Sequence, residues 1–159
     1  MRRTATLRAT AVALAVALAG LPVSAADSGL VTKPSRYSVQ QTIDRFENAV
    51  IAKGWKVFNE IDHGAAAQEY GLELKPRIVV VYGNPKLFTP TLAISPTLGI
   101  DVPFRALVWQ NDQGQVYLTY NSADYVANAI YPRHGLTIAG QSPKNLEQFL
   151  DEISDRATK

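Results

Sequence analysis

Four consecutive β-branched residues at positions 78–81 (Ile-Val-Val-Val) constrain the fold of this chain more than any other feature. Such a run is typical of a strand that is buried on both faces of a sheet. Gly83, Asn84 and Pro85 follow it and favour a turn, because glycine permits unusual backbone angles and proline cannot continue a hydrogen-bonded ladder. The strand is therefore predicted to end in a polar turn, with Asn84 and Lys86 at the rim of a sheet.

The first 25 residues have the pattern of a secretory signal peptide. Arg2 and Arg3 lie near the start, and a mostly apolar run at residues 9–21 precedes small residues that a signal peptidase accepts. The run is shorter than the roughly 20 residues that cross a bilayer. Cleavage is expected after Ala25 or Ala26, giving a periplasmic or secreted protein. The twin-arginine route is an alternative to general secretion.

The charge of the mature chain excludes some classes of function. Of the 16 Lys and Arg residues, three lie in the signal peptide, so 13 remain against 14 Asp and Glu and the net charge is about −1. Without a basic stripe, no nucleic-acid partner is expected. The chain has no cysteine, so it has neither disulfides nor a cysteine nucleophile. We assign residues 26–36 to a flexible lead and first edge strand, and residues 37–159 to a single domain.

Hydrophobic periodicity predicts an α+β fold. Strands are expected around residues 30–36, 55–62, 78–81, 104–110 and 116–121, and helices around residues 38–53, 64–70, 122–130 and from 142 onwards. Pro34 favours an edge position for the first strand. In the second strand, Trp55, Val57 and Ile61 alternate onto a predicted buried face, whereas Phe58 and Asn59 do not fit the alternation. The proline-rich stretch at residues 87–98 is expected to form only a short helix and irregular turns. Pro132 is expected to stop the helix before it. The last helix has an apolar stripe, formed by Leu146, Phe149, Leu150 and Ile153.

The expected architecture is a curved, mostly antiparallel sheet backed by helices. Several motifs occur in an order that resembles one family. They are Ile61-Asp62-His63, Gly71-Leu72-Glu73-Leu74-Lys75-Pro76, Tyr82-Gly83-Asn84-Pro85-Lys86, Thr89-Pro90, Ile100-Asp101-Val102-Pro103, Trp109, Gly114 and Tyr120-Asn121. The set is similar to exported members of the domain of unknown function family 302, over about residues 35–136.

This resemblance implies a TATA-binding-protein-like fold, in which a curved sheet is backed by helices. It implies no activity, because none is established for the family. Similar relatives often carry cysteine where this chain has Gly83. Thiol or soft-metal chemistry at that position would therefore lack its ligand here.

Polar residues at the predicted strand ends suggest one binding site. The candidates are Asp62, His63, Asn84, Lys86, Arg105, Tyr120, Asn121 and His134. If the strand ends meet, these side chains would form the rim of a hollow at one border of the sheet. A structural role is open as an alternative for Asp62 and Asn84, because both residue types cap helices.

Three functions are compatible with these residues. The first is non-catalytic binding of a small molecule or a protein partner at the rim. The second is an enzyme in which His63 acts as general acid or base and Asp62 orients it. The third is a structural module that dimerises through its curved sheet.

A metal site would need distant residues to converge. His63 and His134 with Asp62 or Asp101 would supply two histidines and one carboxylate. No short ligand spacing such as His-x-x-x-His supports this arrangement, and no phosphate-binding glycine loop, dinucleotide motif or Gly-x-Ser-x-Gly motif occurs. We therefore expect neither a metal nor a cofactor.

Overall fold

Five strands form one antiparallel sheet in the computed structural model, which describes residues 28–138, 140 and 142–159. The strands are β1 (Leu30–Ser35), β2 (Lys56–Asp62), β3 (Arg77–Gly83), β4 (Phe104–Gln110) and β5 (Val116–Asn121). Their order across the sheet is β1-β5-β4-β3-β2, and every neighbouring pair is antiparallel. β1 is thus an edge strand, as Pro34 predicted, because proline has no N–H to donate to a ladder.

Helices back this sheet. They are α1 (Val39–Ala52), α2 (His63–Gln68), α3 (Pro85–Ile94), α4 (Ala123–Tyr125), α5 (Tyr131–Arg133) and α6 (Ser142–Thr158), with a 3-10 turn at Pro96–Ile100 and a π turn at Val126–Ile130. α1 and α6 pack against each other and on one face of the sheet, which we call the inner face; the opposite face is the outer face. The predicted α+β domain is confirmed.

Local sequence signals set most helix ends. The hydroxyl of Ser38 accepts a hydrogen bond from the Gln41 N–H, and the Gln41 side chain accepts one from the Ser38 N–H, so a capping box starts α1. Gly54 follows the end of that helix at a φ of 75°. The prediction that Pro132 stops a helix is wrong. Helical turns continue through Arg133, because Pro132 lies in the first turn of α5, where a missing N–H costs little.

A β-bulge in β2 explains why two residues did not fit the sequence pattern. The register shifts between Val57 and Asn59, so Phe58 is an extra residue in the ladder. A bulge reverses the side-chain alternation beyond it. Ile61, which the alternation placed on the buried face, instead pairs with Val79 and is 42% exposed.

The hydrophobic core lies between the inner face and helices α1 and α6. Alternate residues of three strands face it: Ile78, Val80, Tyr82, Phe104, Ala106, Val108, Val116, Leu118 and Tyr120. Ile43, Phe46 and Val50 of α1 and Leu150 and Ile153 of α6 pack over them. The outward residues of β3 are only half-buried, so the prediction of a strand buried on both faces is wrong. The reason is that α1 and α6 both lie on the inner face.

The predicted signal peptide, residues 1–25, lies outside the described residues. The lead segment is described from residue 28, and its strand is β1. Within the part of the chain that the structure describes, no helix combines the length and the apolar character that crossing a membrane requires.

Candidate functional site

The predicted rim is divided between opposite ends of the sheet. Asp62 pairs with Ile78 near the start of β3, whereas Asn84 follows Gly83 at the end of that strand. A strand rises about 3.4 Å per residue, so these two ends lie roughly 20 Å apart. The prediction that the strand ends converge on one hollow is therefore wrong. Ligand binding by the individual residues stays a prediction.

At one end of the sheet, Asp62 caps a helix. Its Oδ1 accepts hydrogen bonds from the N–H groups of Gly64 at 2.8 Å and Ala65 at 3.0 Å, at the start of α2. His63 is the first residue of that helix, and it is exposed. The carboxylate that was predicted to orient His63 thus binds backbone N–H groups, which is the capping role left open as the alternative.

The other end of the sheet holds four of the rim candidates. Asn84 caps α3, with its Oδ1 accepting a hydrogen bond from the Lys86 N–H at 3.0 Å. Lys86 is exposed in the first turn of that helix. Arg105 and Asn121 lie at the same end, on the adjacent strands β4 and β5. This smaller group is what remains of the predicted rim.

Tyr120, also predicted at the rim, points into the core. It is 4% exposed, and its hydroxyl lies 3.0 Å from the Ser154 hydroxyl of α6. Burial raises the pKa of Tyr120, although the hydrogen bond with Ser154 and the charge of Lys33 act in the opposite direction. The phenol therefore connects β5 to α6 and does not line the rim.

His134 belongs to a polar cluster with residues of the 3-10 turn. Its Nε2 lies 2.6 Å from Asp101 Oδ2, and its Nδ1 lies 2.9 Å from Thr97 Oγ1. Arg133 also binds Asp101, at 2.5 Å. Burial acts to raise the pKa of Asp101, but the hydrogen bonds from His134 and Arg133 outweigh it and lower that pKa. The cluster links the turn to the chain that follows α5.

The structure brings together only some of the residues that the sequence suggested as metal ligands. Asp101 and His134 are in contact. His63 is the first residue of α2 and directly follows Asp62, which pairs with Ile78 near the beginning of β3. Within the described ranges, no group of three or more His, Cys, Asp or Glu side chains lies close enough to hold a metal ion.

A cavity of about 660 Å³ lies between α3, α6 and residues 131–138. Five aromatic residues contribute to its wall: Trp55, Phe88, Phe104, Tyr131 and Phe149. Its polar lining consists of Thr91, Thr137, Ser142 and Asn145, and none of the described lining residues is charged. The arrangement suits an apolar molecule that carries few polar groups.

The aromatic wall of the cavity is ordered around Trp55. Its ring stacks on Phe149, with centroids 4.0 Å apart, and meets Phe88 edge-on at 6.1 Å. Leu87 and Ile94 of α3 also line the cavity, yet they are 57% and 77% exposed. We therefore place the mouth of the cavity beside these two residues.

The cavity could not be recognised from the sequence, because its wall residues fit ordinary core patterns. Alternation predicts Trp55 on the buried face of a strand, and helical spacing predicts Phe149 in the apolar stripe of the last helix. One signal was available: Leu87 and Ile94 lie in the proline-rich stretch, where a regular buried face was not expected. Large apolar residues with no core assignment can mark a binding site.

A pair of carboxylates lies between α1 and β2, away from the cavity. Glu47 is half-buried on α1, and its neighbour on β2 is Glu60. Burial raises the pKa of Glu47, and the neighbouring charges of Glu60 and Asp44 raise it further. The folded protein therefore binds a proton at Glu47 more tightly than the unfolded chain does.

Replacing Glu47 with glutamine is expected to raise the melting temperature at pH 7. Because the folded-state pKa of Glu47 is raised, its contribution to stability is complete below the unfolded pKa of about 4.3. That contribution is lost as the pH rises through the folded-state value. Glutamine cannot ionise, so the variant avoids the loss. Thermal unfolding followed by circular dichroism at about pH 4 and at pH 7 tests this.

Two further variants control this experiment. Glu60→Gln should give a smaller gain at pH 7, because it removes the repulsion but leaves the Glu47 carboxylate buried; added to Glu47→Gln, it should change little. Glu73→Gln, at an exposed position, should have no effect. A gain from Glu47→Gln that is as large at pH 4 as at pH 7 would contradict the titration argument.

These observations define a class of protein: an α+β domain with one antiparallel sheet and its main helices on one face. The sequence matches the family described as domain of unknown function DUF302 over residues 31–153, and the chain belongs to this family. The predicted membership is thus confirmed. The fold is similar to the crystal structure of an uncharacterized conserved protein DUF302 from Bacillus stearothermophilus. That similarity has a TM-score of 0.67 and 20% identity, covering 82% of this chain and 98% of the other.

Longer relatives contain a similar segment. Proteins named fluoride-specific ion channel FluC 1, from Brucella suis biovar 1 (strain 1330) and Brucella abortus biovar 1 (strain 9-941), are each 42% identical over 113 residues. This match covers 71% of this chain but only 43% and 40% of those proteins. The chain therefore spans less than half of their length, and their name describes the whole proteins.

Proposed function

We propose that this chain is an exported, non-catalytic domain that binds a small, uncharged and largely apolar molecule in the cavity beside Trp55 and Phe149. The observation that carries the proposal is the cavity itself. Its volume of about 660 Å³ falls within the range of roughly 300–1,000 Å³ that is common for small-molecule sites. Export rests on the signal-peptide pattern of the first 25 residues.

The chemistry of the wall supports an uncharged ligand. Transfer of an apolar ligand from water onto the rings of Trp55, Phe88 and Phe149 is favourable by about 25 cal/mol per Å² of buried apolar surface. Asn145 and Ser142 offer hydrogen-bonding groups for one polar end of the ligand. A charged ligand would lose its hydration without gaining an ionic partner in the described lining, which is unfavourable.

The state of His134 argues against an acid–base role for this residue. Both of its ring nitrogens have protein partners, Asp101 and Thr97, and the side chain is 7% exposed. A general acid or base needs a ring nitrogen that can reach the substrate. In the described structure, this imidazole instead holds the 3-10 turn against the chain after α5.

The two tryptophans make the proposal testable, because they report on different surfaces. Trp55 lines the cavity, whereas Trp109 lies on the outer face of the sheet. We expect N-phenylnaphthylamine, a neutral apolar dye, to bind with increased fluorescence and to shift the NMR signal of the Trp55 indole N–H. The Trp109 indole signal should not move. The sulfonated analogue of the dye should bind about tenfold more weakly or worse, because it carries a charge.

A matched pair of variants on α3 localises the dye. Thr91→Phe would put a phenyl group into the cavity and is expected to weaken dye binding by about tenfold or more. Thr89→Phe makes the same change at an exposed position outside the lining, and it should leave binding unchanged. Equal effects of the two variants, or a dye that shifts Trp109 and not Trp55, would overturn the proposal.

A further inference from the structure

We propose that the outer face of the sheet is a docking surface for a protein partner that presents carboxylates beside apolar or aromatic side chains. The main helices α1 and α6 both pack on the inner face. At the centre of the outer face, the sheet register brings together Val79, Val81 and Leu107. Toward the β2 edge, Ile61 is 42% exposed. This surface is separate from the cavity proposed above.

Trp109 and Tyr117 form an aromatic ridge on this face. The rings of Trp109 and Tyr117 stack with centroids 4.7 Å apart, and the Arg77 guanidinium carbon lies 5.4 Å from the Trp109 ring. The Trp109 indole N–H donates a hydrogen bond to the Thr119 hydroxyl at 2.9 Å. These contacts hold the ridge in one conformation before any partner arrives. Ordered aromatic residues of this kind are enriched in protein interfaces.

The charges on the outer face have one sign. Among the outward-facing positions of the five described strands, the charged residues are Lys56, Arg77 and Arg105. The inner side carries many of the carboxylates: α6 alone contains Glu147, Asp151, Glu152 and Asp155. Other Lys and Arg residues lie elsewhere in the described structure, but the outward strand positions carry cations without carboxylates. Complementary charge on a partner would be negative.

A second copy of the chain is a less suitable occupant than an acidic partner. A two-fold dimer through this face would bring the same cationic surface against itself, because such an interface is made by identical patches. Five strands about 4.8 Å apart, with residues spaced about 3.4 Å, give a footprint on the order of 400 Å². A stable interface buries roughly 800 Å² per partner. The face therefore suits a limited contact with a segment of another protein.

The random copolymer poly(Glu,Tyr) is a suitable probe, because it combines carboxylates with aromatic rings. With the purified protein labelled with nitrogen-15 at tryptophan, we expect the copolymer to shift the Trp109 indole signal and to leave the Trp55 signal in place. Poly(Lys,Tyr) should produce no shift. Binding of poly(Glu,Tyr) should weaken as salt is added, because exposed charges are screened.

Charge-reversal variants then assign the contact to the outer face. Arg105→Glu, at an exposed outer position, is expected to weaken binding of the copolymer by about tenfold. Lys144→Glu makes the same change in net charge on α6 and should have little effect. If Arg105→Glu fails to fold, Lys56→Glu on the exposed edge strand repeats the test.

Several results would overturn the proposal. Equal weakening by Arg105→Glu and Lys144→Glu would mean that net charge alone attracts the copolymer. An unmoved Trp109 signal would place the contact elsewhere. Binding to anionic phosphatidylglycerol vesicles without binding to poly(Glu,Tyr) would identify a lipid surface instead. A concentration-dependent dimer in light scattering that protects the Trp109 indole N–H from exchange would identify a second copy. Each of these results is independent of whether the dye occupies the cavity.

Discussion

Replacing Phe46 with alanine is expected to lower the free energy of unfolding by about 3–5 kcal/mol, the usual cost of removing a phenyl group from a protein core. Phe46 lies on the inner side of α1 and is 1% exposed. Its ring meets the Tyr82 ring edge-on, with centroids 5.1 Å apart. Tyr82 is itself 1% exposed on β3, an interior strand of the sheet. The surrounding backbone belongs to regular elements and can collapse only partly into the space that the variant leaves.

Ile51→Ala on the same helix is the matched control. Ile51 is 57% exposed, so its truncation should change the free energy of unfolding by no more than about 0.5 kcal/mol. Urea unfolding monitored by circular dichroism measures both variants. Similar losses for Phe46→Ala and Ile51→Ala would show that the core does not lie between α1 and the sheet as described.

Replacing Gly83 with alanine should destabilise the fold by roughly 1–3 kcal/mol, as overpacking of a core commonly does. A Cβ atom at this position would lie 2.5 Å from Cε2 of Phe88 and 3.3 Å from Cβ of Pro103. The Phe88 ring, which is 6% exposed, would have to move. Because Phe88 lines the cavity, its movement should also weaken binding of the neutral dye. The same contact explains why this chain accommodates glycine better than cysteine at position 83.

A double-mutant cycle checks this cause directly. Phe88→Leu removes the ring atoms that meet the new Cβ, so the loss from Gly83→Ala should be smaller in the Phe88→Leu background. Gly99→Ala is the control, since a Cβ there would make only an ordinary contact with Leu92 at 3.7 Å. Additive losses from Gly83→Ala and Phe88→Leu would contradict the assigned contact.

Features that depend on neighbouring residues could be predicted from the sequence. The capping box at Ser38 and Gln41, the edge position of Pro34 and the hairpin turn at Gly114 each follow from local backbone chemistry. The misfit of Phe58 marked an irregular position in the second strand, but neither the bulge nor its effect on Ile61 was predicted. Family membership could be predicted as well, because several motifs of the family occur in the same order along this chain.

The candidate site could not be predicted in the same way. Polar residues at strand ends were recognised, but the register of β2 on β3 decides which ends are neighbours. It places Asp62 and Asn84 at opposite ends of the sheet. The contact between His134 and Asp101 spans 33 residues, and no local pattern encodes such a distance.

The amino-acid sequence by itself determined the elements of this protein, their order and their apolar faces, because these depend on side-chain type at short spacing. Only the tertiary structure decided that Trp55 and Phe149 stack in the wall of a cavity and that the charged residues at outward strand positions are all cationic. The physical reason is that a cavity and a charged surface are made by residues distant in the chain. Strand pairing and helix docking bring those residues together.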